Sequence, residues 1–338
     1  MHTSKARSVT LISEPLAFWT IAPGRGELRR ETLPPLAAGE VHVRSVYSAI
    51  SRGTESLVFR GEVPPSEYQR MRAPFQQGDF PVPIKYGYIN VGVVEAGCGA
   101  QAEALVGRRV FCLYPHQQAY IVPATAVVPL PDAVPSERAV LAANLETAIT
   151  AVWDASPTLG DRIAVVGGGV LGALVTWLCA RIPGTEVELI DLDPSRAALA
   201  AAFGAGFALP DGARENCDLV IHASGAPSGL ARALELAGDE ATVLEMSWYG
   251  QRSVPLALGE AFHARRLTLR SSQVGRLPPR QAPRWDYRRR MELALSLLVD
   301  SLPDVLISGE SEFANLPDTV QRLASTPAGA LCHRIRYS

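Results

Sequence analysis

Short runs in which apolar and polar residues alternate dominate the first part of the chain. Val41–Ile50 alternates as a half-buried strand does, and Val91–Gly97 and Arg108–Leu113 show the same pattern between glycines and prolines. Gly61–Pro83 contains five prolines and has no clear period, so we expect a long loop that is either part of a site or a plain surface excursion. The first part is therefore predicted to be rich in β-structure.

After Pro131 the pattern changes, because strand-like and helix-like runs begin to alternate. Alternation of this kind predicts a parallel, doubly wound sheet. The predicted strands are Arg162–Val166, Val187–Ile190, Asp218–His222, Ala241–Met246 and, at the end, Leu331–Tyr337. The predicted helices are Ser136–Asp154, Leu171–Arg181, Pro194–Phe203, Ser228–Leu236, Arg288–Val299 and Phe313–Leu323.

The sharpest motif is VVGGGVLG, in which Gly167, Gly169 and Gly172 follow a predicted strand and open a predicted helix. Asp191 ends the next predicted strand, 19 residues after Gly172. Strand, glycine-rich turn, helix, strand and acid in this order are typical of a dinucleotide-binding site.

Each glycine of this motif has its own physical reason. Gly167 permits the tight turn, Gly169 lets the backbone approach a diphosphate, and Gly172 lets the helix lie close to the sheet. Asp191 is able to accept hydrogen bonds from both adenosine ribose hydroxyls and to repel a 2′-phosphate. The motif therefore favours NAD(H) over NADP(H), although Arg196 lies close by in the sequence and softens that preference.

Composition describes an ordinary folded protein with about two domains. The chain has 338 residues, 47% of them hydrophobic, and a formal net charge of −2, which argues against disorder and against electrostatically driven nucleic-acid binding. Its five cysteines form no C-x-x-C pair, so we expect no disulfide framework and a reducing, cytoplasmic setting. Met1–Thr20 is charged and lacks the features of a signal peptide, and Ile163–Ala180 suits a buried strand and helix better than a membrane span.

The order of these parts resembles the medium-chain dehydrogenase/reductase superfamily over essentially the whole chain. The segments GEVHVRSVYSAISRGTE, YGYINVGVVEAG, GRRVF and ETAITAVWDA carry the resemblance. It implies an α/β protein with a GroES-like β-rich catalytic domain at 1–145 and 275–338 and a Rossmann domain at 146–274. It also implies a homodimer that pairs through the strand near Leu267–Ser271.

The departures from the zinc enzymes of that superfamily are equally informative. Ser51 stands where those enzymes have a cysteine, Tyr88 and Ile89 stand where they have histidine and its neighbouring acid, and Ala143 stands near the third ligand position. Zinc needs thiolate, imidazole or carboxylate ligands, so we expect no metal. The segment SRGTE at 51–55 is similar to a zinc-free branch that includes the bacteriochlorophyllide dehydrogenases.

Without zinc, other groups must handle the proton of an alcohol or carbonyl. The candidates are Tyr88, Ser51, Glu55, His116 and Glu146. Plain alternatives stay open for each of them: Tyr88 as a core aromatic, Ser51 as a turn residue, Glu55 as a helix cap or the partner of an arginine. His116 is alternatively a satisfied structural histidine, and Glu146 the partner of an arginine.

The resulting hypothesis is a zinc-independent oxidoreductase that moves a hydride between NAD(H) and a secondary alcohol or ketone. The alternatives are a double-bond reductase of the same superfamily and a dinucleotide-binding protein that is no catalyst. A small-molecule substrate is expected, with no nucleic acid and no membrane, and the long loop suits a large, ring-bearing molecule. The candidate cofactor-binding residues are Gly167, Gly169, Val170, Leu171, Gly172, Asp191, Arg196, Thr147, Ala223 and Ser224.

The segment Arg265–Arg290 contains nine arginines. They bind an anionic substrate or partner, or they form a solvated face that reflects the arginine-rich composition of a chain with two lysines. The substrate itself and the direction of the reaction stay open at this point.

Overall fold

The computed structural model describes residues 11–325 and 329–338, and short strands make up most of the first part. The expectation for Met1–Thr20 falls partly outside the described residues. The strands are β1 (Leu16–Ala22), β2 (Arg25–Arg30), β3 (Glu40–Ile50), β4 (Gln77–Gly78), β5 (Ile84–Lys85), β6 (Asn90–Gly97), β7 (Arg109–Cys112), β8 (Ala119–Pro123) and β9 (Val127–Pro129). The helices are α1 (Arg52–Phe59), α2 (Ala100–Glu103) and α3 (Ser136–Ala139).

The middle of the chain alternates between helices and parallel strands. Its helices are α4 (Ala142–Ala155), α5 (Val170–Cys179), α6 (Arg196–Ala202) and α7 (Pro227–Leu236). Its strands are β10 (Arg162–Val166), β11 (Glu186–Ile190), β12 (Gly206–Ala208), β13 (Cys217–His222), β14 (Ala237–Glu245) and β15 (Thr268–Ser271). They pair in parallel in the order β12-β11-β10-β13-β14-β15, so the predicted doubly wound sheet is confirmed.

The last part of the chain returns to the first sheet. It consists of α8 (Tyr287–Leu297), β16 (Ile307–Glu312), α9 (Leu316–Ser325) and β17 (Cys332–Arg336). Strand β17 pairs antiparallel with β3 and completes a seven-stranded sheet in the order β16-β17-β3-β6-β7-β9, with β8 also paired to β3. A four-stranded sheet, β2-β1-β5-β4, lies beside it.

Two predicted elements differ from the observed ones. The helix expected over Ser136–Asp154 is wrong as one element, because the Leu141 amide bonds to the Arg138 carbonyl three residues back and the chain turns between α3 and α4. Strand β14 begins at Ala237, earlier than the predicted Ala241, directly where α7 ends.

The most apolar stretch of the chain is a buried strand followed by a buried helix, as predicted. Side chains of β10 point alternately into two cores: Ile163 and Val165 pack on one face of the sheet, Ala164 and Val166 on the other. Burial on both faces explains why the strand has no polar residue after Arg162. No helix within residues 11–325 and 329–338 combines the length and the apolar character that crossing a bilayer requires.

A buried ion pair fastens α8 to α4. Arg290 Nε lies 2.9 Å from Glu146 Oε1, and Arg290 Nη1 donates to Thr150 Oγ1 at 2.9 Å. Glu146 and Arg290 are 4% and 2% exposed. Burial raises the pKa of Glu146, and the positive charge of Arg290 pulls it partly back.

The substitution Arg290→Met tests this pair. A carboxyl group with a raised pKa in the folded state destabilises the fold as pH rises from the usual carboxyl range through the raised pKa. Removing Arg290 leaves Glu146 buried without its counter-charge, so we expect a loss of about 3 kcal/mol at pH 7.5, partly recovered near pH 5. Urea denaturation at the two pH values measures this change in the free energy of unfolding.

Two further variants complete this test. Glu146→Gln in the Arg290→Met background removes the stranded charge and should restore stability at pH 7.5. Arg266→Met, which removes an exposed arginine paired with Glu240, should change little. An equal loss at both pH values in Arg290→Met contradicts the electrostatic explanation and indicates lost packing alone.

Candidate active site

A cleft of about 1860 Å³ lies between the carboxyl ends of the parallel strands and the first part of the chain. Val166, Ile190, Ala223 and Met246, at or just after the ends of β10, β11, β13 and β14, line one side. Residues 70–74 of the long loop line another wall, so part of that loop belongs to the site. Pockets for one small ligand measure about 300–1000 Å³, so this cleft has room for two ligands side by side.

The glycine turn shapes the floor of the cleft. Gly167 has φ +111°, and a Cβ there would lie 2.6 Å from the backbone nitrogen of Ser224. A Cβ on Gly172 would lie 1.8 Å from the carbonyl oxygen of Gly167, whereas a Cβ on Gly169 would meet nothing within 4 Å and would project into open space. Helix α5 begins directly after Gly169, so its free amides face that space, as a diphosphate requires. Val170 and Leu171 of its first turn also line the cleft.

At the end of β11, both carboxylate oxygens of Asp191 are held by backbone amides. Oδ2 accepts from Gly168 N at 2.5 Å and Oδ1 accepts from Asp193 N at 2.8 Å. Arg196 lines the cleft beside Asp191, and Arg52 reaches the same region from α1, where burial and the charge of Arg196 lower its pKa. Sequence analysis missed Arg52, although it stands next to Ser51.

Two hydroxyl groups meet on the wall that the first part of the chain contributes. Tyr88 Oη donates to Ser51 Oγ at 2.6 Å, and both residues line the cleft. Burial raises the pKa of Tyr88 to about 12, and the nearby charge of Glu55 adds to the rise. The phenol therefore stays protonated at neutral pH and acts as a hydrogen-bond donor.

Glu55 and His116 form a buried pair behind these hydroxyls. Glu55 Oε1 accepts from the backbone amide of Ser51 at 2.7 Å, which is the capping contact that the sequence left open, and Oε2 lies 2.9 Å from His116 Nε2. On the far side of the ring, Ser48 Oγ lies 2.7 Å from His116 Nδ1 and 3.0 Å from Tyr337 Oη. Sequence analysis missed Ser48 and Tyr337, which are far from His116 along the chain.

Glu146 and Thr147 form the wall contributed by α4, and both line the cleft. Thr147 Oγ1 donates back to the Ala143 carbonyl at 3.0 Å. Glu146 has the arginine partner that was one of its two interpretations, Arg290. Four of the five predicted acid/base candidates thus lie in one connected region of the first part, and Glu146 lies apart from them on α4.

The residues at the positions of the superfamily's zinc ligands do not fit zinc. Ser51 and Tyr88 offer neutral hydroxyls that bond to each other, and Ala143 offers a methyl group. The nearest carboxylate on α4, Glu146, is already paired with Arg290. Among the described residues, no three His, Cys, Asp or Glu side chains converge as metal ligands.

The arginines of Arg265–Arg290 are spread over separate partners. Arg270 binds Asp154, Arg266 binds Glu240, and Arg288 pairs with Glu292. Arg288 and Arg290 line the cleft, but Arg290 is occupied by Glu146. The segment therefore does not form one anion-binding patch.

No protein-family model matches the chain. D-guloside 3-dehydrogenase of Escherichia coli K12 is 26% identical to it over 312 residues, which cover 84% of this chain and 89% of that protein. A short chain alcohol dehydrogenase of Escherichia coli CFT073, solved with NADH, has a TM-score of 0.75 at 18% identity over 96% of this chain and 99% of its own. L-idonate 5-dehydrogenase of Escherichia coli K-12 has a TM-score of 0.78 at 16% identity over 96% and 98%.

These comparisons agree with the architecture. The β-rich part completed by β16 and β17 has the GroES-like form, and the doubly wound sheet with its glycine turn has the Rossmann form. The chain therefore has the fold of these dehydrogenases and is similar over most of its length to a named dehydrogenase.

Proposed function

We propose that the protein is an NAD(H)-dependent, zinc-independent oxidoreductase that interconverts a secondary alcohol and a ketone. The observation that carries this proposal is the Tyr88–Ser51 hydroxyl pair on the cleft wall at the superfamily's metal position. The resemblance of SRGTE to a zinc-free branch supports it. A substrate with rings suits the lining of this end of the cleft, which includes Met71, Tyr86, Phe111 and Trp248.

The residues of the cleft fit a nicotinamide dinucleotide. Open space at Gly169 and the amides of α5 suit the diphosphate, Asp191 suits the adenosine ribose, and Arg52 and Arg196 add positive charge. In this proposal the nicotinamide half of the cofactor lies beside Thr147, Ala223 and Ser224, which also line the cleft. When bound, the nicotinamide supplies or accepts the hydride.

Tyr88 and Ser51 handle the proton in this proposal. A secondary alkoxide is a stronger base than a phenolate, so Tyr88 is able to donate a proton to a substrate oxygen during ketone reduction. The single hydroxyl proton of Tyr88 points to Ser51 Oγ, so the transfer is a relay. Ser51 gives its own hydroxyl proton to the substrate oxygen and takes the Tyr88 proton in its place, which leaves a phenolate. Glu55 and His116 hold Ser51 in place and keep a negative charge close to the phenol.

The organisation of the protein is also part of the proposal. The division into 1–145 with 275–338 and 146–274 passes through α4, which then links the two parts. All four residues of β15 are exposed at the edge of the parallel sheet, and a dimer that pairs two copies of β15 would cover them.

Replacement of Tyr88 by phenylalanine tests the proton-handling role. We expect kcat for ketone reduction to fall by about 100-fold, because the ring remains but its donor is lost. The dissociation constant for NADH, measured by fluorescence titration, should stay unchanged. Tyr86→Phe, the same change on a neighbouring ring of the cleft whose hydroxyl donates to the Met71 carbonyl and not to Ser51, serves as the control. An equal loss in both variants contradicts the role of the phenol. Wild-type protein that binds NADH but reduces no ketone in a broad panel would favour the non-catalytic alternative.

Asp191→Ser tests the cofactor preference. We expect the wild type to have the higher kcat/KM with NAD, and the variant to lose about tenfold with NAD while gaining with NADP, because the charge that repels a 2′-phosphate is gone. Asp211→Asn removes the same charge from another part of the cleft wall. It should leave the ratio of kcat/KM with NAD to kcat/KM with NADP unchanged. A wild-type preference for NADP, or a parallel shift in both variants, would refute the assignment of Asp191.

A further inference from the structure

A second cluster of polar side chains lies at the carboxyl ends of β13 and β14. His222 and Glu245, the last residues of these strands, stand opposite each other in the parallel register. His222 Nδ1 lies 2.7 Å from Glu245 Oε2. His222 is fully buried, and Glu245 is partly buried. Neither residue was a candidate from the sequence, because nothing local marks two strand ends as neighbours.

Ser224 extends this pair to the surface of the cleft. Its Oγ lies 2.6 Å from His222 Nε2 and accepts from the backbone amide of Ala226 at 3.1 Å. The loop packs so tightly that a Cβ on Gly229 would lie 2.4 Å from Ser224 Oγ and 2.8 Å from His222 Nε2. Glu245, His222 and Ser224 therefore form a fixed acid–imidazole–hydroxyl triad whose hydroxyl lines the cleft.

The groups around Glu245 keep it ionised. Tyr249 Oη donates to Oε2 at 3.0 Å and the Ser247 amide donates to Oε1 at 2.5 Å. Burial raises the pKa of Glu245, but the hydrogen bonds from His222 and Ser247 outweigh it and leave the pKa below its usual value. Arg252, stacked over Tyr249 at 5.7 Å, adds a positive charge on the same side.

An ionised Glu245 fixes the orientation of the imidazole. It accepts the Nδ1 proton of His222, and this turns Nε2 toward Ser224 Oγ. The Ala226 amide donates to the same oxygen. A serine hydroxyl offers one donor and two acceptor positions, so Ser224 keeps one hydrogen-bonding position for a ligand in the cleft that it lines.

We propose that Glu245 and His222 are positioning residues that hold the Ser224 hydroxyl for a hydrogen bond with a hydroxyl of the ribose attached to nicotinamide. The inference rests on the proposed function. The adenosine half is assigned to Asp191 after β11, and the diphosphate to the glycine turn after β10. Ser224 follows β13, on the other side of that turn, so it meets the nicotinamide half.

Binding of cofactor fragments tests this assignment in the intact protein. Fluorescence or calorimetric titration gives dissociation constants for NADH, for reduced nicotinamide mononucleotide and for ADP. Ser224→Ala should weaken NADH and the mononucleotide by about tenfold, the loss of one hydrogen bond, and leave ADP unchanged. His222→Phe should do the same, whereas His222→Gln, which keeps a polar group able to hydrogen-bond to Ser224, should recover part of the affinity.

Ser272→Ala is the matched control, because it makes the same change at another serine that lines the cleft, and the Ser272 hydroxyl donates to Asp154 and not to the triad. It should leave all three dissociation constants within about twofold. The inference is overturned if Ser224→Ala weakens the binding of ADP and of the mononucleotide equally, or weakens neither. In that case NADH binding by the wild type still upholds the proposed cofactor. Failure of the wild type to bind NADH overturns both.

Discussion

Burial of the Glu55 carboxylate beside the cleft is the interaction on which the site depends. A buried negative charge is stable only when donors surround it, and here the Ser51 amide and the His116 ring supply them. The imidazole is fixed in turn by Ser48 on β3, whose hydroxyl also meets Tyr337, one residue past β17. The return of the chain to its first sheet thus supports the carboxylate that holds the Ser51 backbone beside the cleft.

The same physical rule operates three times around the cleft. Glu55 is matched by His116, Glu146 by Arg290, and Glu245 by His222. The three acids lie on three different helices or strands. In each pair, the basic side chain fixes the acid, and the pair holds a group at the cleft in place. Fixed donors and acceptors of this kind need no reorganisation when charge develops on a substrate, which is the advantage that a metal ion would otherwise supply.

How much of this was predictable depended on distance along the chain. Gly167, Gly169, Gly172 and Asp191 act within one strand–turn–helix–strand unit, so their spacing was sufficient to predict the sheet and the turn. Tyr88, Ser51 and His116 were recognisable as groups able to donate or accept a proton. Which of them contact each other depends on how the strands pair. Contacts between residues far apart along the chain left no local signal. Tyr337 was therefore missed, and an arginine partner of Glu146 was anticipated without its identification as Arg290. The break between α3 and α4 was missed as well, because alanine-rich sequence continues across it.

The central claim is that hydroxyl groups, and not zinc, act on the substrate oxygen. Elemental analysis of protein purified without chelator or added metal, combined with turnover before and after dialysis against a chelator, tests it most directly. The donor set of Ser51, Tyr88 and Ala143 predicts less than about a tenth of an equivalent of zinc per chain and unchanged turnover. Close to one equivalent of zinc, with activity lost on chelation and restored by zinc, would contradict the account.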